Sequence, residues 1–291
     1  MDLKTLRVGV VILLAGFGSR ALGNRQSSPS PSPEEDSRKT AWEILRSAAS
    51  DNETPKRAKA VRVLGILHGD PDAESLALTA LDDKEPEVRA AAADALGEMH
   101  SSAAIPKLRE ALDDHDVLAA WAASRALLAL HDNHGYDIPF EVLTGKRKGG
   151  QSLPAQARAT LNDPEKTLGF VLTQGIGFAP YGGYFLQAFR TVQGRGDIPA
   201  HAAAALALAH DPDRRAGDAL VDVVFGKGPF LEKEALVRIA ALRAIAERGD
   251  RALIGRIAPA LSDHSDDVRF MAAAAVLRLN AIPPRSPAKK K

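Results

Sequence analysis

Two acidic turns in this sequence hold the side chains best suited to bind a metal ion. One reads Asp-Asp-His-Asp at 113–116, and the other reads Asp-His-Ser-Asp-Asp at 263–267. Carboxylates and imidazoles are common metal ligands, but neither turn has the His-x-x-x-His or Glu-x-x-His spacing of a metal-binding helix. Capping of the following helix explains the aspartates without an ion. We therefore predict no metal site and no cofactor.

Motifs for catalysis are missing from the sequence as well. None of the eight histidines is followed by glutamate, and neither Gly-x-Ser-x-Gly nor His-Glu-x-x-His occurs. The chain has no cysteine, which excludes disulfides, thiolate metal sites and thiol catalysis. The sequence therefore predicts no catalytic residue.

The charge of the chain argues against nucleic acid as a partner. The formal net charge is +1, but basic residues are concentrated at the two ends. Residues 24–282 hold 31 basic and 36 acidic residues, a net charge of −5. Binding to phosphate backbones needs a basic surface that displaces counterions, so we predict no nucleic-acid partner.

The first 23 residues have the order of a secretory signal peptide. A positively charged start, Met1–Arg7, precedes ten apolar residues at 8–17 and a small-x-small site that ends at Gly23. Ten apolar residues are too few to span a bilayer, which needs about 20. We expect cleavage near Gly23 and a protein that is exported, either periplasmic or secreted.

Both ends of the remaining chain have compositions that disfavour a folded core. Residues 24–36 alternate serine with proline and read as a flexible linker. Residues 283–291 combine three prolines with four basic residues and read as a disordered tail. The body of the protein is therefore predicted to lie at 37–282.

That body contains a repeated pattern. Leu81-Asp82-Asp83 is followed by Val88-Arg89, a run of alanines and Leu96, and the pattern recurs at shifts of about 31, 149 and 180 residues. Between residues 88 and 99 the apolar positions follow the i, i+3, i+4, i+7 spacing of an amphipathic helix. Alanines on that face allow close approach of neighbouring helices, so the pattern predicts stacked helix pairs.

The pattern resembles HEAT and armadillo-like repeats, including the HEAT-like repeats of the phycobilisome lyase family. The resemblance implies an all-α fold, a right-handed α-solenoid of about seven helix pairs, with insertions at 131–150 and 225–234. It also implies that Arg89, Arg238 and Arg269 pair with the turn aspartates, although a row of ligand-binding arginines is a competing interpretation. The large apolar residues of the second helices are Leu64, Leu96, Leu127, Ile176, Leu206, Ile245 and Val276.

The segment 167–189 has no charged residue and holds six of the fourteen aromatic residues. Three interpretations compete for it: a glycine-tight core pair, a partner or ligand surface, and a membrane-contacting stretch. We expect the insertion at 131–150 to fold back over this segment. The resulting candidate partner surface comprises Tyr136, Phe140, Phe178, Tyr181, Tyr184 and Phe185.

Three functions remain in competition. The first is a non-enzymatic scaffold that binds a protein or peptide outside the cytoplasm, and it fits the sequence best. The second is a membrane-associated assembly factor that uses residues 167–189. The third is an enzyme related to the HEAT-like bilin lyases or to deoxyhypusine hydroxylase, but the His-Glu dipeptides that the hydroxylase metal site needs are missing.

Overall fold

A computed structural model describes residues 32–144, 198–227 and 235–283, and within these ranges every regular element is helical. The described ranges contain twelve α-helices joined by short turns, many of them 3₁₀. In chain order they are α1 (Pro33–Ala49), α2 (Thr54–Val63), α3 (Pro71–Ala80), α4 (Pro86–Glu98), α5 (Ile105–Glu110), α6 (Val117–Ala129), α7 (Asp137–Thr144), α8 (Ile198–Ala207), α9 (Arg214–Val224), α10 (Ala235–Arg248), α11 (Ile254–Ile257) and α12 (Asp266–Asn280).

Helix α1 begins earlier than the sequence predicted. Ser32 and Glu35 form a capping box, in which each side chain accepts a hydrogen bond from the other residue's backbone N–H. Pro33 occupies the first turn, where a missing N–H costs nothing. The predicted linker is therefore wrong for residues 33–36, because its last serine and proline start the helix.

The large apolar residues of the second helices are fully buried at five of the six predicted positions that can be observed. One large apolar residue in or just after each of α2, α4, α6, α10 and α12 is fully buried, and the alanines beside it are buried too. Leu206 in α8 is only partly buried, and Ile176 lies outside the described residues. The five fully buried residues are Leu64, Leu96, Leu127, Ile245 and Val276.

Small residues set the spacing between neighbouring second helices. A Cβ atom added at Gly97 in α4 would lie 2.8 Å from the backbone Cα of Ala126 in α6. That distance is below van der Waals contact, so α4 and α6 approach as closely as they do because position 97 has no side chain. The alanine-rich pattern of the sequence therefore translates into tight helix packing.

The order of the helices in space differs from their order in the chain. The second helices pack in the series α8, α10, α12, α2, α4 and α6, and α1 also packs against α12. The first and last helix pairs are thus neighbours. One side of their contact is formed by α11, α12 and the turns 251–253 and 258–262, and the other side by α1, α2 and the turn after α2. This contact is called the seam below. We call residues 32–144 the N-terminal array and the described residues from 198 to 283 the C-terminal array.

Part of the predicted insertion at 131–150 continues the helical array. A 3₁₀ turn at 133–136 leads into α7, and Ile138 is fully buried. The Ser124 hydroxyl in α6 donates a hydrogen bond of 2.7 Å to the carbonyl of Gly135. The predicted insertion is therefore helical over residues 133–144 and packs against α6, and residues 145–150 lie outside the described part of the chain.

The uncharged segment 167–189 and most of the second predicted insertion also lie outside the described residues. Among the helices that are described, none combines the length and the apolar character that crossing a bilayer requires.

Candidate functional site

A ladder of arginine–aspartate pairs connects successive helix pairs. Arg57 in α2 binds Asp83 through two hydrogen bonds of 2.9 Å, and Arg89 in α4 binds Asp114 through bonds of 2.6 and 2.7 Å. In each case the arginine belongs to one pair and the aspartate to the turn of the next. The side chains of Arg57 and Asp83 are only 7% and 16% exposed, so this bidentate pair is largely removed from water.

The C-terminal array repeats the arrangement. Arg238 in α10 pairs with Asp263, and its Nε donates to the Val224 carbonyl at 2.7 Å. The structural role predicted for Arg89 and Arg238 is thereby confirmed. Sequence reasoning missed Arg57, although it follows Asp51 by six residues as Arg89 follows Asp83.

The turn aspartates have a different local role from the one predicted. Asp83 accepts a hydrogen bond from the backbone N–H of Glu85 at 2.9 Å, and Asp263 does the same from Ser265. The N-cap residue of α4 is Glu85, whose side chain caps nothing. Asp83 therefore does not cap α4: its carboxylate closes the turn before the helix and holds the arginine of the preceding pair.

Hydrogen bonding keeps these carboxylates ionised. Burial raises the pKa of Asp83, but bonds from Arg57 and from the Glu85 N–H outweigh it, so the pKa lies below its usual value. Asp263 has a lowered pKa for the same reasons, with Arg238 as the partner. A guanidinium bond from Arg109, with a smaller contribution from the His134 backbone N–H, lowers the pKa of Asp132 to about 2.

The ladder ends at two places. Ala120 occupies the arginine position in α6, so no rung continues beyond Asp114. In α12 the position holds Arg269, and the next turn aspartate in the stack is Asp51. Arg269 instead bonds to the Asp263 carbonyl at 2.7 Å and to Asp266, while Asp51 pairs with Lys56. The seam therefore has no rung.

Other ion pairs cross the seam. Lys59 in α2 lies 2.7 Å from a carboxylate oxygen of Asp267 in α12. Arg251 lies 2.5 Å from a carboxylate oxygen of Glu34 at the start of α1. Arg251 also donates to the carbonyl of Ile282 after α12, so one guanidinium joins both ends of the folded chain.

A polar cluster lies where the two arrays approach each other beside the seam. Arg243 in α10 is buried and pairs with Glu98 in α4 and with Glu247 one turn along its own helix. Gly65 leaves room for this carboxylate, because a Cβ there would lie 2.5 Å from Glu98 Oε2. The cluster links α4 to α10 across the two helices that separate them in the stack.

Two histidines border this cluster. The rings of His68 and His100 stack with centroids 6.4 Å apart, and Arg278 lies close enough to donate to the His68 carbonyl at 3.4 Å. Burial lowers the pKa of His68, and the positive charge of Arg278 acts in the same direction. His68 is therefore neutral near pH 7, and the cluster holds charges that are paired within the protein.

The two acidic turns at 113–116 and 263–267 hold the aspartates of the ladder. Asp114 binds Arg89, Asp116 caps α6 through the Leu118 N–H, and Asp263 binds Arg238. His264 extends into solvent, with a side chain 92% exposed. Within the described ranges no group of three or more histidine, aspartate or glutamate side chains has the arrangement of a metal site.

Two residues of the predicted partner surface can be located. Tyr136 is 59% exposed and Phe140 is 39% exposed, and they are the exposed large apolar side chains of the described residues. Tyr136 is the last residue of the 3₁₀ turn 133–136 and Phe140 lies in the first turn of α7, and both elements pack against α6. The predicted partners Phe178, Tyr181, Tyr184 and Phe185 lie outside the described residues, so their proximity to this pair stays a prediction.

Comparison with known proteins places this architecture among HEAT repeats. Residues 42–127, which run from α1 to α6, match the family model for HEAT repeats. The resemblance seen in the sequence is thus confirmed, and the fold is an all-α HEAT-like solenoid. A search of curated proteins finds no match to the chain.

Two solved structures show a distant likeness. The complex of CpcE and CpcF of phycocyanin lyase from Nostoc sp. PCC7120 has 19% identity and a TM-score of 0.32, over 87% of this chain and 97% of that one. Human deoxyhypusine hydroxylase in complex with glycerol has 16% identity and a TM-score of 0.34, over 84% of this chain and 97% of that one. Similarity at this level carries no information about activity or partners.

Proposed function

We propose that the protein is a non-enzymatic scaffold that acts outside the cytoplasm and binds a protein or peptide partner. The supporting observation is the pair Tyr136 and Phe140, which the fold leaves exposed on one side of a short helix. Exposed aromatic side chains grouped on a rigid element are typical anchors of protein interfaces. The carboxylates of Asp83, Asp114, Asp132 and Asp263, by contrast, are engaged in turns and ion pairs within the protein.

The ladder supports the same proposal because it makes the stack of helix pairs rigid. Bidentate pairs such as Arg57–Asp83 fix the relative position of successive helix pairs. A surface on such a frame loses little conformational entropy when a partner binds. The alternatives of an enzyme and of a membrane-associated assembly factor gain no supporting observation from the described residues.

The test is capture of partners by matched variants. Tyr136→Ser with Phe140→Ser removes the aromatic pair, and Lys39→Ser with Glu43→Ser alters an exposed i, i+4 pair on α1 as the control. Partners are captured from the extracytoplasmic fraction and quantified by mass spectrometry. We expect a partner that the wild type and the control retain and the aromatic variant loses. Equal capture by all three proteins contradicts the proposed surface.

The proposed location has its own test. The charged, apolar and small-residue order of residues 1–23 predicts that the mature protein begins near residue 24. Intact mass of the protein purified from the extracytoplasmic fraction measures the start directly. A full-length chain that begins at Met1 and is found in the cytosol overturns the proposal of export.

A further inference from the structure

The seam joins parts of the chain that lie far apart in sequence. Lys59 and Asp267 are 208 residues apart, and Glu34 and Arg251 are 217 residues apart. The chain connects the two arrays on either side of the seam only through residues 144–198. Nothing in the covalent structure of the seam requires its two sides to come from the same molecule.

The seam also differs from the other contacts between helix pairs. No arginine–aspartate pair of the ladder crosses it. Arg269 pairs with Asp266 in the turn that precedes its own helix, and Asp51 pairs with Lys56. The pair that replaces the rung, Lys59 and Asp267, is 32% and 38% exposed. Ion pairs this accessible to water contribute little to stability, so the specificity of the seam depends on the fit of its apolar faces.

Those apolar faces are substantial on both sides. The inward face of α1 carries Ala41, Trp42 and Leu45, all buried, and α12 carries Phe270 and Met271, also buried. Helix α1 packs on α12 as well as on its own partner α2. Opening the seam exposes these faces. Every other copy of the chain carries the surfaces that fit them.

We propose that the seam is also the contact through which two copies of the chain associate. In such a dimer the N-terminal array of each copy packs on the C-terminal array of the other, and the reciprocal contact closes the assembly. Exchange of this kind reproduces every contact of the closed monomer and needs no new interface. Because intermolecular pairing follows mass action while closure within a chain does not, the exchanged form increases with protein concentration during folding.

The absence of cysteine allows a direct experiment on the full chain. Lys59→Cys and Asp267→Cys are made as two separate single variants, mixed, unfolded together and refolded together over a range of concentrations. A short bismaleimide then links the two thiols only where the N-terminal array of one variant contacts the C-terminal array of the other. The same two proteins refolded separately and then mixed form the control for random collision.

A double variant with both cysteines in one chain establishes that the reagent spans the seam. If a cysteine at either position prevents folding, Glu34→Cys and Arg251→Cys test the same contact. We expect co-refolded single variants to give a product of twice the chain mass whose yield rises with concentration, and separately refolded variants to give none. Equal yields from the two mixtures at every concentration show that the seam closes only within a chain and overturn the proposal.

Discussion

The contact of α2 with α4 and the contact of α2 with α12 show two ways of joining helix pairs in one molecule. Towards α4, the arginine of α2 reaches the turn of the next pair in a bidentate bond that is largely buried. Towards α12, two residues further along α2, a lysine reaches an aspartate in a pair that is about one-third exposed. The first contact joins neighbours in the chain, and the second joins its two ends.

The difference indicates what holds each contact together. A buried bidentate pair fixes distance and register, and its loss leaves an uncompensated charge in the interior. An exposed pair of long side chains is screened by water and salt and adds little. The ladder therefore stabilises the internal contacts of each array, whereas the seam depends mainly on apolar packing, with exposed ion pairs at its edge.

Removal of the buried rung should have the largest effect. Arg57→Ala leaves the Asp83 carboxylate without its arginine in a site that is 16% exposed. We expect a loss of about 3 kcal/mol in the free energy of unfolding, measured by urea denaturation. A loss below that of an exposed pair would show that the ladder does not determine the stability of the array.

The close approach of α4 and α6 predicts the next effect. Gly97→Ala places a methyl group against the backbone of Ala126, and overpacking of this kind costs about 2 kcal/mol. Gly255→Ala is the matched control, since no atom lies within 4 Å of a Cβ there. The control should be neutral or stabilising by up to about 1 kcal/mol. Equal thermal melts for the two variants would contradict the packing described here.

Acidification should weaken the Arg57–Asp83 pair, because it protonates the Asp83 carboxylate. The pKa of Asp83 is lower in the folded than in the unfolded protein, so its contribution is complete above the unfolded value of about 3.9 and is lost as the pH falls through the folded value. The wild type should therefore lose stability below about pH 4, and Asp83→Asn should lose less over the same interval. Parallel urea denaturation series at pH 6 and pH 3 measure both slopes, and identical slopes contradict the assignment.

The exposed pair of the seam should give the smallest effect. Lys59→Ala removes the partner of Asp267 but leaves the apolar faces of α1 and α12 in place. We expect a loss below about 1 kcal/mol that shrinks further in high salt. Because Arg57 and Lys59 lie on the same helix, the two alanine variants compare the contacts directly, and a cost for Lys59→Ala equal to that for Arg57→Ala would refute the distinction.

The repeated contacts were predictable from sequence because they are local. The recurring order of Leu, Asp-Asp, Val-Arg and alanine specifies a helix pair, its turn and its neighbour within about 30 residues. The exact role of Asp83 was not predictable. An aspartate can cap a helix or close the turn two residues before the N-cap, and the residue type alone does not distinguish these two roles. Arg57 was missed because Ala58 and Lys59 replace the alanine run that marks Arg89.

The seam and α7 left no comparable signal. Contacts between residues more than 200 positions apart in sequence depend on the curvature of the whole stack. That curvature is the sum of small rotations between successive helix pairs. Helix α7 lacks the alanine stripe and carries Tyr136 and Phe140 around it, so the composition resembled a loop. Tyr136 and Phe140 are both exposed, but the candidate surface predicted from sequence also needs Phe178, Tyr181, Tyr184 and Phe185, and it therefore stays a prediction.

The meeting of the chain ends is the central claim, and a distance between spin labels tests it most directly. Labels at Lys59→Cys and Asp267→Cys report on the seam of the dilute monomer, and labels at Asp82→Cys and Lys107→Cys report on an ion pair of 2.5 Å inside the N-terminal array. Neighbouring helix axes are roughly 10 Å apart, so both pairs should give similarly short distances. In an open array of about seven pairs, six such spacings would separate the first site from the last by roughly 60 Å, and a distance of that size contradicts the closed arrangement.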